Sequence, residues 1–152
     1  MMMIGFGCDH AAIEMKAELM QYMSGKGYEC IDYDPIKPGE KMDYPIAARA
    51  VAEAVKAGEV DKGVLLCGTG IGMCIAANKV PGIRAAHCSE PYSARLTAMH
   101  NDANIITMGA RVVGIELAKM ILDEFFGACF EGGRHQNRVD LITQIEEDYC
   151  RI

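Results

Sequence analysis

The chain has 152 residues, 51% hydrophobic and 24% charged, with a formal net charge of −6, so it suits one domain over residues 1–152 that buries about 68–70% of its unfolded surface. Acids and bases are evenly mixed, which argues against a nucleic-acid or anionic-membrane surface and leaves any anionic ligand to a local cluster of arginines. Seven cysteines without a Cys-x-x-Cys pair or metal-ligand spacing, no basic leader and no long apolar stretch lead us to expect a reduced, cytoplasmic protein with no metal and no cofactor.

Residues 2–7 are short and apolar and predict a first strand that delivers Cys8, Asp9 and His10 at its C-terminal end. Residues 11–26 take up helical spacing, with Ile13, Ala17 and Met20 on one face and Glu14, Lys16 and Glu18 among the charged positions, until Gly25 and Gly27 end the pattern. A second strand is expected over residues 28–33, then a loop over 34–43 carrying Pro35, Pro38 and Gly39. Pro45 suits the first turn of a helix in which Ala47, Ala50, Val51, Ala54 and Val55 recur at three-to-four spacing. Val64, Leu65 and Leu66 form the apolar run of a buried third strand ending at Cys67, and residues 73–78 start a helix at once.

Residues 82–88 predict a fourth strand, Pro91 opens a helix running towards His100, and residues 104–108 predict a fifth strand. Residues 114–126 form an amphipathic helix with Leu117, Ala118, Ile121, Leu122 and Phe125 along one stripe. After a turn at Gly132 and Gly133, residues 134–150 predict a last helix with Val139, Ile142, Ile145 and Tyr149 apolar. Strands alternating with helices at this spacing predict an α/β fold, a doubly wound parallel five-stranded sheet in Rossmann-like αβα layers with a C-terminal helix. Such folds bind ligands beyond the C-terminal strand ends where strand order reverses, commonly between the first and third strands. Asp9, His10, Cys67, Gly68 and Thr69 stand at those two ends.

The segment CGTGIG at 67–72 carries the chemistry. Its glycines let the backbone turn tightly, and unpaired N–H groups at a helix start favour an anion, whether a thiolate, a phosphate or a developing oxyanion. The spacing is not that of a dinucleotide fingerprint or a Walker loop, and Met73 stands where a cysteine phosphatase needs its arginine. A thiolate base beside an oxyanion cradle suits proton abstraction next to a carbonyl. Arg111, Arg134 and Arg138 are candidate phosphate contacts, and the spacing of four puts Arg134 and Arg138 on one helix face. On the same turn His135 is expected to point elsewhere, and His87 within the fourth strand reads as structural.

Taken together, CDH at 8–10, CGTGIG at 67–72, AANK at 76–79, GIRA at 82–85, CSEPYSA at 88–94, HND at 100–102, MGARVVG at 108–114 and EGGRH at 131–135 resemble the type B ribose-5-phosphate isomerases. These belong to a sugar-phosphate isomerase family that includes galactose-6-phosphate isomerase subunits. The resemblance implies metal-free interconversion of D-ribose 5-phosphate and D-ribulose 5-phosphate through a cis-enediolate. By position, Cys67 matches the base, and Gly68, Gly70, Ile71 and Gly72 match the anion hole. Asp9 and His100 match residues associated with opening the furanose ring, while Thr69 and Asn101 match contacts to sugar oxygens. His10, Arg134 and Arg138 match phosphate contacts, joined by Arg111, and Tyr44 matches a pocket residue. A homodimer or dimer of dimers with shared sites is implied, the segment from His100 to Arg111 coming from the partner. The alternatives are isomerisation of allose 6-phosphate or galactose 6-phosphate, and a non-catalytic sugar-phosphate-binding module.

Overall fold

A computed structural model describes residues 1–34 and 37–150, so the loop proline expected at Pro35 lies outside the described residues. The elements run β1 (Met3–Cys8), α1 (Ile13–Gly25), β2 (Glu29–Asp32), α2 (Tyr44–Ala57), β3 (Lys62–Cys67), α3 (Ile71–Ala77), β4 (Ala85–His87), α4 (Pro91–Asn101), β5 (Ile105–Gly109), α5 (Ile115–Gly127) and α6 (Arg134–Tyr149). All strand pairs are parallel, in the order β2-β1-β3-β5-β4. The expected doubly wound sheet is therefore present, with β1 beside β3.

Alternation along the strands assigns the two layers. On β3, Val64 and Leu66 join the core beneath α1, α4 and α5, with Phe6, Leu19, Ala98 and Phe125. Leu65 and Cys67 turn the other way, into the core beneath α2 and α3, with Val51, Met73 and Ile105. The thiol thus faces the α2/α3 layer because it continues the side-chain parity of Leu65.

Three expectations are corrected. On α1 the buried residues are Lys16, Leu19 and Met23, whereas Ala17 is exposed and Ile13 and Met20 are half-buried. Lys16 is drawn inward by charge: its Nζ donates to Asp32 Oδ1 at 2.7 Å and to the Asp34 carbonyl at 3.0 Å, with Asp34 Oδ1 at 3.5 Å. Burial pushes the Asp34 carboxyl up to about 6 against the pull of Lys16, and pushes the Cys8 thiol to about 12. The fourth strand is only Ala85–His87, and just before it Asn104 Oδ1 accepts the Arg84 N–H in place of a strand carbonyl. On α6 only His135 and Val139 are buried, while Ile142, Ile145 and Tyr149 stay exposed; further along the helix Glu146 Oε2 accepts the Gly82 N–H at 2.9 Å.

Candidate active site

At the end of β1, the Asp9 N–H donates to Leu66 O at 3.1 Å, tying the acid to β3. Asp9 is buried, and its Oδ1 accepts the Ala11 N–H at 2.9 Å. His10 is exposed, and its Nδ1 lies 3.3 Å from Met42 O. A carbonyl only accepts, so Nδ1 carries the hydrogen and Nε2 faces outward.

Cys67 closes β3 with a buried side chain whose Sγ accepts the Gly70 N–H at 3.0 Å. An amide aimed at the sulfur stabilises negative charge there. The loop reaches this geometry because Gly70 has φ +79° and lies so close to β5 that a Cβ would meet Met108 C at 2.6 Å and His87 Nδ1 at 2.8 Å. Gly109 is the matching gap on β5: a Cβ there would sit 2.6 Å from the Thr69 carbonyl carbon and oxygen. Beneath the loop Thr107 Oγ1 donates to Gly70 O at 2.8 Å, with His87 Nδ1 3.3 Å from that hydroxyl and Ser89 Oγ 3.4 Å from His87 Nε2. The hydroxyl hydrogen is committed to Gly70, so His87 donates to Thr107 and Ser89 donates to His87. His87 is structural as expected, but what it supports is the loop. Thr107 and Gly109 escaped the sequence reading because one looks like an ordinary strand residue and the other like an ordinary turn.

Tyr44 opens α2 and lays its ring where a Gly72 Cβ would approach within 2.8 Å. Thr69 is exposed with Oγ1 3.4 Å from the Ile71 N–H, and α3 begins at Ile71. Arg111 arches over the loop: its N–H donates to Gly68 O at 3.0 Å, and Nη1 would be 3.4 Å from a Gly68 Cβ. Asp9, His10, Tyr44, Cys67, Gly68, Thr69, Gly70, Ile71, Gly72 and Arg111 therefore form one cluster on one chain.

The remaining candidates lie elsewhere. α4 returns from the C-terminal end of β4 to the start of β5, so His100 and Asn101 sit at the opposite edge of the sheet from Cys67. With Cys67 opposite Gly109 and Gly63 opposite Ile105, at 3.3 Å per residue the two edges are at least about 13 Å apart. Arg111 thus separates from His100, contrary to the expectation that one segment carries both across. His135 points away from the arginine face, as its place on the turn implies: it is buried and stacks on His100 with ring centroids 4.1 Å apart and planes at 6°. Arg134 and Arg138 are exposed on the first turns of α6, beside this stack. Glu131 Oε2 lies 3.6 Å from His100 Nε2 and 3.4 Å from His135 Nε2. Burial, then His100 and Arg134, pushes the His135 imidazole down from its ordinary range.

His100, Glu131 and His135 are ligating residue types with donor atoms within 4.8 Å of one another. The two rings stack in parallel, and both Nε2 atoms approach the one Glu131 oxygen. The trio is built as two imidazoles sharing one carboxylate.

One chain thus holds a thiol, an acid and an amide cradle at one edge, and a histidine, an asparagine and two arginines at the other. The sequence profile of the Ribose/Galactose Isomerase family matches residues 4–142. The chain is 55% identical over 144 residues to ribose-5-phosphate isomerase B of Escherichia coli strain K12, covering 95% of this chain and 96% of the relative. It is 47% identical over 146 residues to D-erythrulose-4-phosphate isomerase of Pectobacterium atrosepticum, covering 96% of each. The solved structure of Clostridium thermocellum ribose-5-phosphate isomerase B superposes with a TM-score of 0.95 at 51% identity, covering 97% of this chain and 99% of that one. The chain belongs to the ribose/galactose isomerase family.

Proposed function

We propose that the protein interconverts D-ribose 5-phosphate and D-ribulose 5-phosphate, with Cys67 as the base. The observation that carries this reading is the Cys67 sulfur held by the Gly70 amide at 3.0 Å, in a chain 55% identical to ribose-5-phosphate isomerase B of Escherichia coli. Asp9 and His100 open the furanose, one taking the proton of the anomeric hydroxyl while the other protonates the ring oxygen. The Cys67 thiolate then takes the proton from C2 of the aldehyde. Charge moves to O1 of the cis-enediolate, where backbone N–H groups of the 68–72 loop stabilise it. O1 gains a proton as O2 loses one, and the thiol returns its proton to C1 to give the ketose. No step requires a metal ion.

Because the sheet separates Cys67 from His100, the complete site is formed by two copies, one contributing the thiol edge and the other His100, Asn101, Arg134 and Arg138. His10 and Arg111 join the two α6 arginines at the phosphate. No described helix is long and apolar enough to cross a membrane. All seven cysteines are unpaired, which supports work in the reducing cytoplasm.

The second reading concerns sugar length, since the Pectobacterium relative at 47% identity is a four-carbon isomerase; the six-carbon alternatives remain competitors. Turnover of ribose 5-phosphate, erythrose 4-phosphate and allose 6-phosphate, measured side by side on wild type and Cys67→Ala, tests the assignment. The expected result is highest kcat/KM on ribose 5-phosphate, lost in the variant. A higher kcat/KM on another sugar phosphate overturns the substrate, and wild-type turnover by Cys67→Ala overturns the base.

A further inference from the structure

The segment that carries His100 and Asn101 ends in a backbone conformation that side chains rarely adopt. Asp102 caps α4 with φ 47° and ψ 45°, and it alone among the described non-glycine residues has positive φ. Aspartate tolerates this region better than most residues, but something must hold it there. The last carbonyls of α4 also lack helical partners. Arg84, on the loop before β4, answers both needs. Its Nε donates to Asn101 O and to Asp102 O, each at 3.0 Å, and its Nη2 donates to Asp102 Oδ2 at 2.9 Å.

The clamp is itself anchored. The Arg84 N–H donates to Asn104 Oδ1 at 2.8 Å, and Asn104 Nδ2 donates to Gly82 O at 2.9 Å. The Gly82 N–H in turn donates to Glu146 Oε2 of α6 at 2.9 Å. One short loop therefore grips the end of α4 and the helix that bears Arg134 and Arg138. A planar guanidinium can meet two carbonyls and a carboxylate together, whereas an ammonium is a single point charge.

We propose that Arg84 is a positioning residue for isomerisation, holding the left-handed turn at Asp102 so that His100 and Asn101 meet the thiol edge of a second copy. The proposal rests on the shared-site reading above. Arg84 touches no substrate and acts through the turn. Arg84→Met keeps the apolar stem and removes the fork. Misplacement by about 1 Å costs on the order of a hundredfold, so kcat on ribose 5-phosphate should fall about 30-fold or more. KM should stay within about threefold, because the α6 arginines keep their own helix. Arg84→Lys, the variant to use if Arg84→Met does not fold, should lose kcat nearly as far.

Mixing variants separates positioning from loss of fold. As a control for the shared site, Cys67→Ala mixed with His100→Ala should recover about a quarter of wild-type activity, since half the dimers are mixed and each has one intact site. Arg84→Met with Cys67→Ala should recover equally, because the Arg84 lesion lies in the His100 half. Arg84→Met with His100→Ala should show nothing above Arg84→Met alone. If the control stays inactive despite subunit exchange confirmed by mass, the shared-site reading fails, and kcat of the single Arg84 variants still judges the clamp. The proposal is overturned if a folded Arg84 variant keeps kcat within about threefold of wild type. It is equally overturned if the control recovers while Arg84→Met with Cys67→Ala does not.

Discussion

Replacing Gly109 by Ala tests whether the glycine loop is seated by β5. The added Cβ would stand 2.6 Å from the Thr69 carbonyl carbon and oxygen, while ordinary contact begins at 3.4 Å, so one backbone must give by about 0.8 Å. Neither neighbour is a flexible side-chain tip. On β5, Gly109 is held in register opposite Cys67, so the 68–70 turn is the part able to move. That displacement carries away the Gly70 N–H that faces Cys67 Sγ. Overpacking of this kind costs about 1–3 kcal/mol, or roughly 2–10 °C in melting temperature for a chain of this size. A shift near 1 Å in catalytic geometry costs on the order of a hundredfold in rate. The expected result is a folded protein with kcat on ribose 5-phosphate reduced about 10–100-fold. Gly127→Ala, where nothing lies within 4 Å, serves as the control and should keep wild-type turnover. A folded Gly109→Ala protein with kcat within about threefold of wild type would refute the seating argument.

Cys67→Ala should abolish turnover while keeping the melting temperature and product binding, read by calorimetry; loss of binding in a folded variant would give the sulfur a structural task instead. Arg134→Ala with Arg138→Ala should weaken phosphorylated sugars about a hundredfold or more, at roughly 1.5–3 kcal/mol per charge-assisted contact, and an undiminished preference over free ribose would move the phosphate elsewhere. Lys16→Met leaves the buried Asp34 without its cation and should cost about 3–5 kcal/mol at pH 7.5 in urea titrations. Asp34 titrates at about 6 in the fold against about 3.9 unfolded, so between those values the folded state binds the extra proton and gains stability as pH falls. Without Lys16 the carboxyl rises further, so the deficit should shrink at pH 5.5; an equal deficit at both pH values would contradict this account.

The alternation of strands and helices was legible because each element announces itself locally. The run Val64-Leu65-Leu66 broken by glycines, the Pro45 helix start and the α5 stripe are periodic patterns of one segment. The thiol at the loop was legible for the same reason. Periodicity says which side of an element is apolar but not what lies opposite, and there the tertiary structure decided. Lys16 turns inward because β2 brings Asp32 and Asp34 to meet it. The stripe on α6 stays exposed although that helix meets the end of α4 and the 82–84 loop, because those contacts come from His135 and Glu146 and not from the stripe. His135 joins His100 across 34 intervening residues because Glu131 N–H bonds to Met99 O and brings the two segments side by side. Above all, motif spacing could not say that Cys67 and His100 lie on opposite edges of one sheet. That follows from α4 running antiparallel to the strands, as the parallel pairing of β4 and β5 requires, and it shows only once the elements are assembled.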